Sequence, residues 1–389
     1  MPPRLKGKII VTGMLFWYPL AGMTYQFLHY LEGLRRLGYD PYYVEESDWY
    51  IYDPKMNDLS TDASGNIGAV LPVLQAHGFG DRWAFRGNYP NGEWYGMSES
   101  KVEALCREAD ALLNVTGQEL RGEHMLCKQR IYVETDPFAL QVKVAKGDID
   151  SASVLDAHHT LFSFGENLGA PDCHVPVGKY KWLPTRQPVV IDFWPVLPPN
   201  AKSAFNTITT WRNRGKDTEF EGDIWYWTKD REFLKFIEIP QKRPQIGFEL
   251  ATAVDDEIKS LLKRHGWLLT DALSISAQVP HYRQYIQNSR GEFTVARDQY
   301  TRPNTGWFSD RSACYLAAGR PVITQETGFS KFLPTGKGLF AFTTTDDILT
   351  AVDLIESDYL GNSQAAREIA AEYFGAEKVI GSLMERAGL

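Results

Sequence analysis

The sequence predicts an α/β protein of two doubly wound parallel-sheet units facing each other across a cleft, and three observations carry that prediction. Short apolar runs alternate with amphipathic stretches of helical period in both halves of the chain. A length of 389 residues exceeds what one hydrophobic core usually holds. Between about Val177 and Pro199 the chain carries Pro184, Pro188, Pro195, Pro198 and Pro199, a density of breakers that marks a linker. The units expected are therefore 1–195 and 200–365, with a closing helix over 366–389.

In chain order, Lys8 to Thr12 has the pattern of a buried strand. A loop with Pro19 and Gly22 follows, then a helix from Thr24 to Leu37 with Phe27, Leu31 and Leu34 on one face, closed by Gly38. Asp40 to Glu45 is the next strand, so the chain opens with a βαβ unit and a parallel sheet. Trp49 to Gly96 is rich in Asp, Asn, Gly, Tyr and Trp and reads as a long excursion with one helix near Ile67 to His77. Ser98 caps a helix to Ala109. Strands follow at Ala111 to Val115, Arg130 to Glu134 and Thr160 to Phe164, whose ends should share one edge.

Beyond the linker, strands are expected at Asn206 to Thr210, Gln245 to Leu250 and Glu292 to Val295. Helices are expected at Asp230 to Ile237, Asp255 to Arg264 and His281 to Asn288. Ser309 is a good N-cap, with Asp310, Arg311 and Ser312 in the first turn and Ala313, Leu316 and Ala317 giving an apolar face before Gly319. Pro321 to Thr324 is a strand and Ser363 to Arg386 is helical.

Composition excludes several classes. A net charge of −8 argues against general nucleic-acid binding, which usually needs a basic surface. No run approaches the ~20 apolar residues that span a bilayer, and the N-terminus lacks a signal-peptide core, so a soluble, cytoplasmic protein is expected. Cys106, Cys127, Cys173 and Cys314 are scattered and read as buried free thiols. His158-His159 and Asp172-Cys173-His174 lack zinc-site spacing, and no Walker loop or Gly-x-Gly-x-x-Gly fingerprint is present. Asp255-Asp256 and Asp346-Asp347 read as charges opening helices. No metal or cofactor is expected.

The stretch Phe308 to Phe342 is the most informative. The start of its helix offers unpaired N–H groups and partial positive charge, suited to a diphosphate, with Arg311 as a fixed cation; an ordinary cap beside a solvated Arg is the alternative. Tyr300 and Thr301, after the strand at Glu292 to Val295, should sit near a base or ribose. Strand-end carboxylates Asp136 and Glu166 are the candidates for a general base, although Asp136 before Pro137 is equally a turn former.

The ordered run Leu316-Ala317-Ala318-Gly319, Arg320-Pro321-Val322-Ile323 and Glu326-Thr327-Gly328-Phe329 resembles the donor half of GT-B glycosyltransferases, those of the family 1 and 4 type. The likeness covers about Asn304 to Phe342. It implies two Rossmann-like domains, a donor-binding second domain, and a last helix packed back on the first. It also implies a nucleoside-diphosphate sugar as co-substrate, an acceptor of unknown kind, and sugar transfer to a hydroxyl without a metal.

By the same resemblance, Arg212 and Lys216 in the loop Trp211-Arg212-Asn213-Arg214-Gly215-Lys216 grip the diphosphate, and Gly22 lets a loop approach it. The turn Gly328-Phe329 contacts the donor sugar, and Glu326 bonds a sugar hydroxyl. Two glutamates of the retaining members are missing, since Gly306 and Cys314 fall at their places, so ribose contact passes to Asp310 or Glu326. Alternatives on the same fold are a sugar-nucleotide epimerase or hydrolase, and a non-catalytic carbohydrate- or nucleotide-binding protein.

Overall fold

The computed structural model describes residues 6–47, 50–88, 91–200, 202–213 and 215–389. Trp49, where the expected excursion begins, and Arg214, in the expected phosphate loop, lie outside them.

The first half contributes strands β1 (Lys8–Thr12), β2 (Asp40–Glu46), β3 (Ile51–Asp53), β4 (Asp58–Ser60), β5 (Trp83–Arg86), β6 (Trp94–Gly96), β7 (Ala111–Val115), β8 (Arg130–Glu134), β9 (Thr160–Ser163) and β10 (Trp182–Pro184). Eight of them form one sheet in the order β10-β9-β8-β7-β1-β2-β5-β6, with β3 and β4 paired separately. All neighbours run parallel except β6, which is antiparallel to β5. The central strands are buried along their length, as a parallel sheet covered on both faces requires.

The second half adds β11 (Phe205–Ile208), the hairpin β12 (Thr218–Phe220) and β13 (Asp223–Trp225), then β14 (Phe248–Ala251), β15 (Leu268–Thr270), β16 (Gly291–Thr294), β17 (Val322–Gln325) and β18 (Leu339–Phe342). Its sheet is parallel throughout, in the order β15-β14-β11-β16-β17-β18. Chain order therefore reverses direction at β1/β7 in one sheet and at β11/β16 in the other. In open α/β sheets a crevice opens beyond the carboxyl ends of the strands at such points.

Several expectations need correction. The excursion supplies two sheet strands, because Trp83-Ala84-Phe85-Arg86 is buried on both faces and so shows no alternation to read. The linker holds the edge strand β10 and the fully buried Trp194, and the first long helix begins earlier, at Ala21–Arg36. The last helix is three pieces, Tyr359–Ile369, a π-helical turn at Ala370–Phe374, and Ala376–Arg386. At the break, the N–H of Val189 donates to the Phe374 carbonyl at 2.7 Å and that of Ala376 to the Val189 carbonyl at 2.9 Å, pinning linker to tail. Ala376, Ile380, Leu383 and Met384 join the core beneath the first sheet. Among the described residues no helix is long and apolar enough to cross a membrane.

Candidate functional site

A cavity of about 390 Å³ opens at the β11/β16 switch point. Its floor is Ile208, Thr209 and Thr210 at the end of β11, and its far side is the loop after β1, with Tyr18 and Leu20. Tyr52 completes that side, stacked on Tyr18 with ring centroids 4.6 Å apart. The loop after β1 is held rigidly. Glu45, at the end of β2, accepts the N–H groups of Phe16 at 2.8 Å and Trp17 at 2.7 Å, while Asn66 donates to the Phe16 carbonyl at 2.7 Å. Burial pushes the Glu45 carboxyl up to about 7, although the Tyr43 hydroxyl and these N–H groups pull the other way.

Three cations line the cavity: Lys229, Arg297 and Arg311. Arg311 is spoken for. Its Nε donates to Glu292 at 2.7 Å, Nη1 to the Ile208 carbonyl at 2.7 Å and Nη2 to Thr294 at 3.1 Å. Arg297 lies 3.6 Å over the Trp227 ring, and its Nη1 donates to Tyr300 at 2.9 Å and to Asp136 at 3.3 Å. Lys229 is only 8% exposed, and its ammonium has no hydrogen-bond or ion-pair partner among the described residues. Burial first, then the Arg311 and Arg297 charges, hold its pKa well below the ordinary lysine value. The side chain is buried and its ammonium is open to the cavity, where a phosphate anion would pair with it.

The sequence candidates divide around this cavity. Arg311 lines it, and Asp136 and Tyr300 reach it through Arg297; the Tyr300 hydroxyl also donates to Asp136. Among the described residues Ser309 caps the Asp310–Ala317 helix without a side-chain bond and Ser312 Oγ is buried without a partner, and burial raises the Asp310 carboxyl against the pull of Arg311. Thr301 bonds the Asp298 carbonyl at 3.5 Å within its own turn. Arg212 and Lys216 are elsewhere. Arg212 pairs with Asp230 at 2.9 Å and lines a separate pocket, and Lys216 stands 5.3 Å over the Trp227 ring. Gly22 faces Tyr282, whose hydroxyl would be 3.5 Å from an added Cβ.

Glu166 is clamped by Arg186 through bonds of 2.6 and 2.8 Å, so its carboxylate is a strut between segments. Glu326 caps its own turn, accepting from the N–H groups of Thr327 at 3.0 Å and Gly328 at 2.6 Å. Phe329 is buried against Phe308, centroids 5.3 Å apart. Gly328, at φ 96°, has no room for a Cβ, which would meet Asn304 Oδ1 at 2.5 Å. The two positions that lack glutamates are explained in the same terms. Gly306 has φ 76° and an added Cβ would lie 2.6 Å from the Asn167 nitrogen, while Cys314 is buried in the helix face.

Sequence reasoning missed Lys229 and Arg297. Lys229 stands directly before the helix Asp230–Lys235, where the hairpin β12–β13 separates it from the end of β11. The legible signal was Thr228-Lys229-Asp230 opening a helix after the first strand of the second sheet.

No family model matches the sequence. No curated protein matches it either. Solved structures do share the fold. An alpha-glucosyltransferase in complex with UDP is 8% identical, covers 99% of this chain and 100% of its own, and superposes with a TM-score of 0.61. HepE from Anabaena in complex with UDP is 10% identical over 98% of this chain and 99% of its own, with a TM-score of 0.56. Sucrose-phosphate synthase from Thermosynechococcus elongatus is 13% identical over 97% and 98%, with a TM-score of 0.54. The architecture of this chain is accordingly the GT-B fold of glycosyltransferases, two doubly wound α/β sheets with a cavity where their switch points meet.

Proposed function

We propose that the chain is a glycosyltransferase that takes a nucleoside-diphosphate sugar, with UDP as the nucleotide, and passes the sugar to an acceptor hydroxyl. The observation that carries this reading is Lys229, buried and without a partner among the described residues, in a cavity at the switch point that Arg297 and Arg311 also line. The relatives in fold that were solved with UDP support the choice of nucleotide. The cations would take the diphosphate, and the apolar lining of Ala253, Ala272 and Leu273 is available to the base. Lys229 and Arg297, with Arg311 behind them, stabilise charge on the leaving diphosphate, so the transfer runs without a metal ion.

In the transfer, the acceptor oxygen bonds to the anomeric carbon and the bond from that carbon to the phosphate oxygen breaks. The electron pair leaves with the diphosphate, and the hydroxyl proton passes to a carboxylate or to the departing phosphate. Asp136, 47% exposed at its side chain and bonded to Arg297, is the carboxylate placed to receive it. The alpha-glucosyltransferase has also been solved with DNA. The net charge of −8 here favours an acceptor other than a nucleic acid.

The test is release of UDP from UDP-sugars, measured with and without an acceptor panel and with EDTA present. Acceptor-dependent release that survives EDTA supports the reading. Release that is independent of acceptor identifies a hydrolase, and no release with any donor favours a binding protein.

A further inference from the structure

Behind the donor cavity lies a larger chamber of about 650 Å³. The same two segments wall both. Tyr18 and Leu20 face the donor cavity while Pro19 between them faces the chamber, and Tyr52 and Asn57 face the donor cavity while Asp53, Pro54 and Lys55 face the chamber. The opposite wall comes from the second half of the chain, at Gln278, Val279, Pro280 and Arg283. On the donor reading, a molecule held here is next to the segments that carry the stacked Tyr18–Tyr52 pair of the donor cavity.

The helix Ser64–Ala76 supplies the third wall, and its composition is unusual. It contains no charged residue, yet Gly68, Ala69, Pro72 and Ala76 are exposed, where a solvated helix face would carry charge. All four line the chamber. The absence of bulk lets a flat or extended apolar body lie against the helix backbone.

The charges at the rim are asymmetric. Lys55 and Arg283 have no ion-pair partner among the described residues, and Arg283 lies beside the Tyr25 hydroxyl. The one carboxylate in the lining, Asp53, accepts the Lys55 backbone N–H at 2.8 Å. His77 is shifted toward its neutral form, by burial first and by the charges of Arg35 and Arg283 against that of Glu32.

We propose that this chamber binds an amphiphile, an apolar alkyl or aryl body carrying one anionic group read by Arg283 and Lys55. Its role as the sugar acceptor rests on the donor reading above; its binding chemistry does not.

Calorimetric titration with decanoate, decanol and decylamine tests the proposal, with UDP titrated into the same samples. Decanoate should bind about tenfold more tightly than decylamine, as a guanidinium–carboxylate contact provides, and Arg283→Gln should erase that preference. Gly68→Trp should abolish decanoate binding. An added Cβ at Gly68 meets nothing within 4 Å, so this variant fills the chamber and not the core. Ala69→Trp serves as a second filling variant should the first melt early. UDP binding should persist in all three variants. Equal binding of the three amphiphiles, or decanoate binding that survives both tryptophans, overturns the proposal. A wild-type protein that binds decanoate as described but not UDP refutes the donor reading and leaves the chamber's chemistry standing.

Discussion

Lys229 is where stability and function pull apart. A charge carried on a side chain only 8% exposed, with no partner among the described residues, costs stability, and methionine keeps the apolar stem while removing the charge. Lys229→Met should therefore melt higher than wild type by a few degrees, yet bind UDP about 10- to 100-fold more weakly, since a charge-assisted phosphate contact is worth roughly 1.5–3 kcal/mol. Thermal melts with and without UDP measure both effects. Arg212→Ala should change UDP affinity less than about threefold, because that guanidinium is half exposed and paired with Asp230. The depressed pKa of Lys229 adds a sign to the pH dependence. Bound phosphate raises that pKa, so UDP binding takes up a proton wherever the free ammonium is already deprotonated, and affinity falls as pH rises. Calorimetry in buffers of different ionisation enthalpy reads the uptake directly. Of the residues named from sequence, Arg311, Asp136 and Tyr300 converge on the cavity; Glu166 and Glu326 are held by local partners that no sequence spacing discloses.

Among the elements, the hairpin β12–β13 does work that the alternation of strands and helices conceals. It reaches from the second half of the chain onto the first, where Trp225 packs 4.7 Å from Phe138 and Lys146 donates to the Glu219 carbonyl at 3.3 Å. Phe138 sits at φ 113°, a conformation that a bulky residue keeps only when its surroundings enforce it, and it is two residues from Asp136. Trp225→Ala should cost about 3–5 kcal/mol by removing this packing, measured by denaturant unfolding. Gly306→Ala should cost at least about 1–3 kcal/mol, since φ 76° and the Asn167 nitrogen both oppose a Cβ there.

β1, β7 and β8 were legible because turn residues bound each apolar run. β5 was not, being a buried aromatic run without alternation. The hairpin was signalled only by Glu221-Gly222, both at positive φ between two short β-prone runs.

At the scale of the molecule, linker and tail cross together. His29 in the Ala21–Arg36 helix accepts the Val190 N–H at 3.0 Å, and burial drives its pKa down to about 3, so this crossing stays neutral at physiological pH. The buried carboxyls behave differently. Burial raises Glu45 and Glu134 from 4.5 to about 7, so the folded protein binds protons there that the unfolded chain does not. Their contribution is full below about pH 4.5 and is lost as pH rises through about 7, with a ceiling of roughly 3 kcal/mol each. Stability should decline from pH 5.5 to pH 8, and Glu134→Gln should flatten that decline in melts across the range. The two-sheet plan was readable from sequence because alternation and length report on the backbone. Lys229 and Arg297 were not, because a side chain's burial and partners depend on which strand ends the topology brings together.

The most direct test of the central claim is titration of UDP into the wild-type protein and the Lys229→Met and Arg212→Ala variants. Binding about 10- to 100-fold weaker without Lys229 and nearly unchanged without Arg212 is what the structure predicts. UDP affinity in Lys229→Met within about threefold of wild type, or weakened about tenfold or more in Arg212→Ala, would contradict the assignment of the donor site.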